Sequence, residues 1–435
     1  MISDTKGYKE AFVWVWLPQA TAPVVAGRLT PDGKRLRFNY GKGYLGNPRA
    51  IPLYAPELPL QAGVLPMPTN ADMPGCIRDA APDAWGRRVI LNRKLGLRGA
   101  AADSAQLDEL TYLLESGSDR IGALDFQASA TEYVPRSSPM ATLEELLESA
   151  ARVEQGIPLS PELGQALQHG SSIGGARPKA LLEDGRRKLV AKFSASTDWY
   201  NVVKSEFIAM RLAQLTGLQV AQVELAAALG KDVLLIERFD RFHAQDGWQR
   251  KIMVSALTLF GLDEMLARYA SYEDLAELVR HRFTDPTSTL RELFARLVFN
   301  ILVGNTDDHA RNHAAFWDGE MLTLTPAYDI CPQGRTGNEA TQAMLIAGNN
   351  RMSRIAGCID AAHHFLLERQ QAIAVVEQQL HSIGNHWLAV CDEAELSAVD
   401  RQLLWGRQFL NPFAFEHLGG DAAELAVLAA DIRQV

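Results

Sequence analysis

The polar loop at residues 305–312 has the side chains best suited to catalysis. Its sequence is Asn-Thr-Asp-Asp-His-Ala-Arg-Asn, and it follows a predicted buried helix that ends at Gly304. Asp307 offers a carboxylate that could accept a proton from a hydroxyl group, and Asn312 offers an amide oxygen, a ligand type that Mg²⁺ accepts. The alternative is an ordinary turn, because Asp, Asn and Thr also cap helices and form turns.

A second carboxylate, Asp329, stands 22 residues after Asp307, where a predicted hairpin ends. The Asp-four residues-Asn spacing from Asp307 to Asn312, followed by a metal-binding Asp, is the arrangement of protein kinases. We therefore predict that Asp307 is catalytic, orienting the attacking hydroxyl and accepting its proton. Asn312 and Asp329 are the predicted metal ligands. A turn-forming role ahead of Cys331 is the alternative for Asp329.

Other metal sites find less support in the sequence. His309 and His313 are four residues apart and could present two imidazoles on one helical face, but no HExxH motif accompanies them. The cysteines are widely spaced without a CxxC pair, which predicts reduced, packed thiols. They are Cys76, Cys331, Cys358 and Cys391.

Upstream, Lys192 interrupts a short apolar strand, where a lysine needs a partner if it is buried. Glu206 follows 14 residues later in a predicted helix, as in the lysine–glutamate pair of kinases. We predict that both residues are catalytic. The alternative is an edge-strand lysine that faces water.

The stretch at residues 170–179 is rich in glycine and serine. Gly174 and Gly175 would let backbone N–H groups turn towards an anion, which predicts a loop that binds nucleotide phosphates. Ser172 and Lys179 belong to the same predicted nucleotide-binding set. The stretch lacks the GxxxxGK[ST] pattern, so the predicted loop is not of the Walker type. The alternative is a plain turn.

A predicted strand with the buried run Val-Leu-Leu-Ile ends near Glu237. In a kinase, the hinge segment between the two lobes occupies this position along the chain. The backbones of Glu237 and Phe239 would then form hydrogen bonds with the adenine edge of ATP. Glycine loop, strand lysine, helix glutamate, hinge, catalytic loop and metal aspartate thus occur in kinase order. That joint order predicts a kinase that uses ATP and Mg²⁺.

The elements that must position these residues predict an α+β fold. We expect a protein-kinase-like two-lobed fold with an added β-rich N-terminal module and a large helical C-terminal lobe. The predicted elements include a helix at 201–215, strands at 188–194 and 231–238, and a hairpin at 315–324. The expected domains are a module at 1–140, β-rich then helical, an N-lobe at 141–243 after a linker near 137–139, and a helical C-lobe at 244–435.

Composition limits the partners. The chain has 435 residues, 47% of them hydrophobic, and a net charge of −9. No segment approaches 18 uninterrupted apolar residues and the N-terminus is not signal-like, so we expect a cytoplasmic protein without a membrane partner. An acidic chain is poorly suited to binding nucleic acid directly, whereas a basic protein partner suits its charge.

The chain resembles the HipA family of bacterial serine/threonine kinases, the toxins of HipBA-type toxin–antitoxin pairs, over roughly residues 8–390. The catalytic-loop motif is the most specific part of this resemblance. The matching segments are the end of the N-terminal module at 79–88, the glycine-rich loop at 172–179, the hinge at 236–241, the catalytic loop at 305–313 and the metal segment at 326–330.

The resemblance implies a kinase that phosphorylates a protein serine or threonine, with aminoacyl-tRNA synthetases as the target class. It also implies autophosphorylation on Ser172 and a small DNA-binding antitoxin dimer of the HipB type, so that DNA contact is indirect. His309 joins the predicted nucleotide-binding residues. The chain departs from the family pattern at Asp308, where some members have glycine, and at Arg177-Pro178.

Two other functions remain open from sequence. One is a small-molecule kinase of the aminoglycoside-phosphotransferase type, which shares the Asp-four residues-Asn spacing but lacks the N-terminal module seen here. The other is a non-catalytic corepressor that keeps the fold for partner binding alone. The presence of Lys192, Asp307 and Asp329 together argues against the corepressor.

Overall fold

The structure is a computed structural model, and the chain divides into two compact units that are described separately. Unit 1 comprises Met1–Thr197, Ala226–Val254 and Phe316–Glu320, and unit 2 comprises Asp198–Leu225, Ser255–Ala315 and Met321–Val435. The structure describes residues 7–67, 71–95, 107–136, 141–157, 159–160, 163–164, 167, 172, 175, 177–335 and 337–434.

Unit 1 begins with a four-stranded sheet of order β3-β2-β1-β4, in which neighbouring strands are antiparallel. The predicted β-rich start is confirmed, whereas the fourth strand was not predicted. The strands are β1 (Ala11–Val15), β2 (Val24–Asp32), β3 (Arg35–Tyr40) and β4 (Leu124–Gln127). The helices around this sheet are α1 (Lys42–Leu45), α2 (Gly75–Arg78), α3 (Ala84–Leu95) and α4 (Glu109–Glu115).

A second four-stranded sheet has the order β5-β6-β8-β7. Helix α5 (Leu143–Glu154) covers it and begins with the predicted capping box, in which Thr142 and Glu145 bond each other's backbone N–H groups. Trp85 and Val89 of α3 share the core of α5 and this sheet. The strands are β5 (Lys179–Asp184), β6 (Arg187–Phe193), β7 (Val223–Ala228) and β8 (Lys231–Glu237), followed by the hairpin of β9 (Arg241–Ala244) and β10 (Gly247–Arg250).

Unit 2 is mainly helical. The predicted buried helix is α9, and its apolar stripe from Leu290 to Leu302 is inaccessible to solvent. The helices are α6 (Val202–Leu215), α7 (Ala256–Leu259), α8 (Tyr272–Arg282), α9 (Pro286–Leu302), α10 (Ile355–Ala361), α11 (Arg369–Glu393), α12 (Ala398–Leu404) and α13 (Ala423–Arg433). The remaining strands of the chain are β11 (Ile252–Ser255), β12 (Ala314–Trp317) and β13 (Leu322–Leu324), of which residues 252–254 and 316–317 belong to unit 1.

Most predicted elements are confirmed, including helix α6, strands β6 and β8, and the β12–β13 hairpin. The placement of Lys179 in the glycine-rich loop was wrong, because this residue begins β5. All four cysteines are buried, and none of them forms a disulfide bond. The predicted linker at 137–139 lies outside the described residues. Within the described chain, no helix is long and apolar enough to span a bilayer.

Candidate functional site

The candidate catalytic loop starts where α9 ends, and its first residues are tightly fixed. Gly304 has a φ of +70°, and a Cβ there would lie 2.6 Å from the backbone oxygen of Gln408. This position therefore requires glycine for both conformation and space. Next, the Asn305 backbone N–H donates to the Asn300 carbonyl at 2.8 Å, and the Asn305 Nδ2 donates to the Asn300 Oδ1 at 3.0 Å.

Asp308 anchors the loop from the inside. It is 1% exposed and accepts hydrogen bonds from the Tyr272 hydroxyl and from the Nε2 of His313, the latter at 2.7 Å. Burial and the Asp308 carboxylate raise the pKa of Tyr272 well above its ordinary value, so that Tyr272 stays a donor. This role of Asp308 was missed from the sequence. Because His313 belongs to this anchor, its Nε2 is not available for a metal site with His309.

Asp307, next to this anchor, is exposed. Its backbone oxygen accepts hydrogen bonds from the His309 N–H at 2.9 Å and from the Asn312 Nδ2 at 3.1 Å. Desolvation by the surrounding protein raises the pKa of the Asp307 carboxyl, His309 opposes this shift, and the carboxylates of Asp329 and Asp308 add to it. The loop therefore presents an accessible carboxylate that is more basic than an ordinary aspartate.

Asp329 is held in a left-handed backbone conformation with a φ of +60°, which few residues other than glycine adopt. The preceding residues fix it. Ala327 exchanges backbone hydrogen bonds with Gln219 and Ala221 at 2.7 and 2.9 Å, and the Tyr328 hydroxyl donates to the Arg311 carbonyl at 2.7 Å. These contacts stabilise a backbone conformation that residues other than glycine adopt at a cost in free energy.

The donor groups around Asp307 fit Mg²⁺. The repulsion between Asp307 and Asp329 is the interaction that a bound cation would relieve. Asn312 donates through its Nδ2, which leaves its amide oxygen free to act as a ligand. Mg²⁺ takes one or two carboxylates and keeps several waters. The described residues contain no cluster of three or more His, Cys, Asp or Glu side chains that could hold a metal ion.

In unit 1, Lys179 and Lys192 occupy directly opposed positions on the antiparallel strands β5 and β6. Side chains at such positions project from the same face of a sheet. Both residues are buried, with exposures of 5% and 9%. Two lysines on one face of the sheet place two positive charges together, which suits a ligand with several negative charges, such as a nucleotide phosphate.

The end of the glycine-rich stretch is fixed to the start of α3. Gly175 has a φ of +104°, its N–H donates to the Asp83 carboxylate at 2.6 Å, and a Cβ there would lie 2.2 Å from the Lys179 Nζ. The Trp85 Nε1 donates to the Lys179 carbonyl at 3.0 Å. Gly175 is therefore required where it stands, whereas Gly174 lies outside the described residues.

Ser172 is 1% exposed, and its hydroxyl donates to the backbone oxygen of Asp119 at 3.2 Å. The Asp119 carboxylate in turn accepts from Arg238 and Arg241, each at 2.9 Å. Although burial alone would raise the pKa of Asp119, these arginines hold it well below its ordinary value. Ser172 is thus packed against a charged network that includes Arg238, which stands between Glu237 and Phe239.

The predicted hinge residues lie at the end of β8. Glu237 is the last residue of the strand, the Arg238 N–H donates to the Lys188 carbonyl at 2.8 Å, and the Phe239 ring packs edge-on against Phe316 at 6.1 Å. Glu206, on α6, is buried in unit 2. Because Lys192 and Glu206 belong to different units, their pairing remains a prediction.

Two family models match the chain. The model of the HipA N-terminal domain matches residues 15–127, and that of the HipA-like C-terminal domain matches residues 171–387. The second match contains every predicted site residue, from Ser172 to Asp329. Together the two matches span most of the chain.

Individual proteins agree with these models. The chain is 27% identical over 332 residues to the protein Y4mE of Sinorhizobium fredii, covering 70% of this chain and 74% of that protein. It is 26% identical over 183 residues to the serine/threonine-protein kinase toxin HipA of Shewanella oneidensis, covering 37% of this chain and 42% of that protein.

Among solved structures, the chain is similar to HipA in the complex of HipA, HipB and operator DNA from Shewanella oneidensis. The TM-score is 0.65 at 20% sequence identity, with 95% of this chain and 98% of that chain covered. This similarity confirms the predicted α+β, protein-kinase-like fold. With both of the family's domains matched in order along the sequence, the chain belongs to the HipA family.

Proposed function

We propose that this protein is an ATP- and Mg²⁺-dependent serine/threonine protein kinase. The observation that carries the proposal is the exposed Asp307 carboxylate, whose pKa is raised, on a loop fixed by the buried Asp308. An accessible base in a rigid position is what transfer of a phosphoryl group to a hydroxyl requires. The kinase name of its relative in Shewanella oneidensis supports the same reaction.

In the proposed reaction, the oxygen of a serine or threonine hydroxyl forms a bond to the γ-phosphorus of ATP. The bond from that phosphorus to the β-phosphate oxygen breaks and ADP leaves. Asp307 orients the hydroxyl and accepts its proton. The raised pKa of Asp307 favours this role, because a more basic carboxylate accepts a proton more readily.

The remaining site residues bind and orient ATP in this proposal. Lys192, paired with Glu206, and Lys179 bind phosphates, and the loop from Ser172 through Gly174 and Gly175 covers them. Backbone groups of Glu237 and Phe239 form hydrogen bonds with the adenine, and His309 also binds the nucleotide. Asn312 and Asp329 would hold Mg²⁺, which supplies positive charge that offsets the charge of the phosphates.

We further propose that the protein is the toxin of a toxin–antitoxin pair in the cytoplasm. Its partner would be a small DNA-binding dimer of the HipB type, so that its contact with DNA is indirect. The presence of HipB and operator DNA with HipA in the similar structure supports this partner. An aminoacyl-tRNA synthetase is the proposed protein substrate, and Ser172 is the proposed site of autophosphorylation.

The kinase proposal is tested with purified protein, Mg²⁺ and ATP labelled on the γ-phosphate. The acceptors are a bacterial lysate, purified aminoacyl-tRNA synthetases and an aminoglycoside panel. We expect label on protein serine or threonine and a loss of roughly 10² to 10⁴ in rate for Asp307→Ala. Asp360→Ala is the matched control, because this aspartate is in the same unit and its side chain is 78% exposed.

Label on an aminoglycoside alone would instead assign the protein to the small-molecule kinases. Asp307→Ala with more than about a tenth of the wild-type rate would remove Asp307 as the base. The partner is tested separately, by co-purifying the chain with the product of any adjacent short helix-turn-helix gene. Failure to form a complex would remove the antitoxin proposal and leave the kinase proposal standing.

A further inference from the structure

Unit 2 contains a cavity of about 480 Å³ that is separate from the catalytic loop. Arg335 and Asn338 line one side, and they lie in the segment that follows Asp329. Its other lining residues lie between positions 406 and 416 and include Arg407 and Glu416. A volume of this size is typical of sites for small molecules or for one or two side chains of a partner.

Arg335 is buried in an unusual way for a charged residue. It is 5% exposed, and its Nη1 donates to the Asn338 carbonyl at 3.3 Å. Its Nε and Nη2 are buried and have no hydrogen-bond partner among the residues that the structure describes. These two nitrogens form one edge of the guanidinium group, the edge that binds a carboxylate or phosphate through two parallel hydrogen bonds.

The neighbouring charges do not compensate Arg335. Burial lowers the pKa of its guanidinium, and no opposing effect of an acidic group accompanies that shift. Arg407 adds a second positive charge, and its Nη2 donates to the Arg335 backbone oxygen at 3.2 Å. The carboxylate of Glu416 is paired with Arg354 at 2.7 Å. The cavity therefore carries an excess of positive charge, and an isolated buried cation is strongly destabilising without a partner.

We propose that this cavity binds an oxyanion, a phosphate or carboxylate group, on the Nε–Nη2 edge of Arg335 with Arg407 as the second cation. The ligand would supply the acceptors that the described residues do not. The oxyanion could come from a free small anion or from an acidic side chain of a bound peptide. The proposal does not depend on phosphoryl transfer, because it rests on the Arg335 edge and the charge of the cavity.

The test measures thermal unfolding and calorimetric binding with inorganic phosphate, in the absence of nucleotide and Mg²⁺. We expect phosphate to stabilise the wild type, and Arg335→Gln to bind phosphate about tenfold more weakly or worse, as loss of a charge-assisted contact predicts. Arg291→Gln is the matched control, because Arg291 is an exposed arginine on α9. The loss seen in Arg335→Gln identifies this cavity, because Lys179 and Lys192 of the proposed nucleotide site are unchanged in that variant.

Arg407→Gln keeps the test decisive if Arg335→Gln does not fold, and it should also weaken phosphate binding. Equal phosphate binding by the wild type and both cavity variants overturns the proposal, as does a wild type that responds neither to phosphate nor to the glutamate peptide described next.

A peptide containing glutamate residues and its glutamine counterpart identify the source of the oxyanion. Binding of the acidic peptide that requires Arg335 assigns a side-chain carboxylate, and binding of phosphate alone assigns a free anion.

Discussion

Replacement of Asp308 by alanine should destabilise unit 2 and displace the catalytic loop. Asp308 is inaccessible to solvent. It accepts hydrogen bonds from the Tyr272 hydroxyl, which is 36 positions away in the sequence, and from the His313 Nε2, five positions away. A carboxylate only accepts hydrogen bonds, so His313 must carry its proton on Nε2. Alanine would remove the charged acceptor of both of these buried donors and leave them only their 3.2 Å contact with each other.

The expected magnitude follows from these two contacts. A hydrogen bond to a charged group contributes about 1.5–3 kcal/mol, so Asp308→Ala should lower the free energy of unfolding by about 3–6 kcal/mol. Asparagine keeps one accepting oxygen but places an N–H₂ group against the other donor, and Asp308→Asn should therefore cost about 1.5–3 kcal/mol. Total stabilities of domains are only about 5–15 kcal/mol, so the alanine variant should be close to unfolding.

Urea unfolding followed by circular dichroism measures the stability change, and the phosphoryl-transfer assay measures displacement of Asp307. A shift of about 1 Å in a catalytic group costs roughly 10² in rate, which is the loss expected for Asp308→Asn. Asp360→Asn, an exposed aspartate, should change stability by less than about 0.5 kcal/mol. If Asp308→Ala unfolds at the same urea concentration as the wild type, the anchor described here does not stabilise the loop.

Three further predictions concern the site itself. Because the folded-state pKa of Asp307 is raised, its ionisation disfavours the folded state at neutral pH. Asp307→Asn should therefore be more stable than the wild type at pH 7. In urea unfolding at different pH values, this difference in stability should vanish below the ordinary pKa of 3.8. Asp329→Asn should weaken Mg²⁺-dependent nucleotide binding in calorimetry. Because it removes a negative charge near Asp307, it should also lower the pKa of Asp307 and shift the acidic side of the pH–rate profile to lower pH. An unchanged acidic side would contradict the repulsion between Asp307 and Asp329. Incubation with Mg²⁺-ATP should place phosphate on Ser172 in the wild type and not in Asp307→Ala. Because the Ser172 hydroxyl is buried against the Asp119 backbone oxygen, labelling requires local opening of the loop; peptide mass spectrometry that finds no phosphate on Ser172 in the wild type, or equal labelling in Asp307→Ala, would contradict self-phosphorylation at this site.

Elements with strong local signals were predictable from the sequence. Helix α6 has apolar residues at helical spacing and a capping Asn201, and α5 has its capping box, so both begin where they were expected. The β12–β13 hairpin was marked by Asp318-Gly319 at its turn. In each case the information lies within a few residues, where capping and turn chemistry act.

Features that depend on distant contacts were not predictable. Strand β4 is four residues long with every residue buried, so it shows no alternation. The register that opposes Lys179 and Lys192 is visible only once β5 is known to be a strand. Asp308 was noted only as a departure from the family pattern, because its partner Tyr272 is 36 residues earlier in the sequence.

The division of the chain between its units bears on how the protein is made. Unit 1 includes Phe316–Glu320, and unit 2 includes Asp198–Leu225, so each unit takes segments from both sides of the other in the sequence. Unit 1 cannot complete its packing until residue 320 has left the ribosome, which at about 5–20 residues per second takes roughly 15–65 s. During that interval unit 1 lacks the segment Phe316–Glu320. Synthesis of residues 1–320 thus precedes the completion of unit 1, and chaperones have a long period in which to bind.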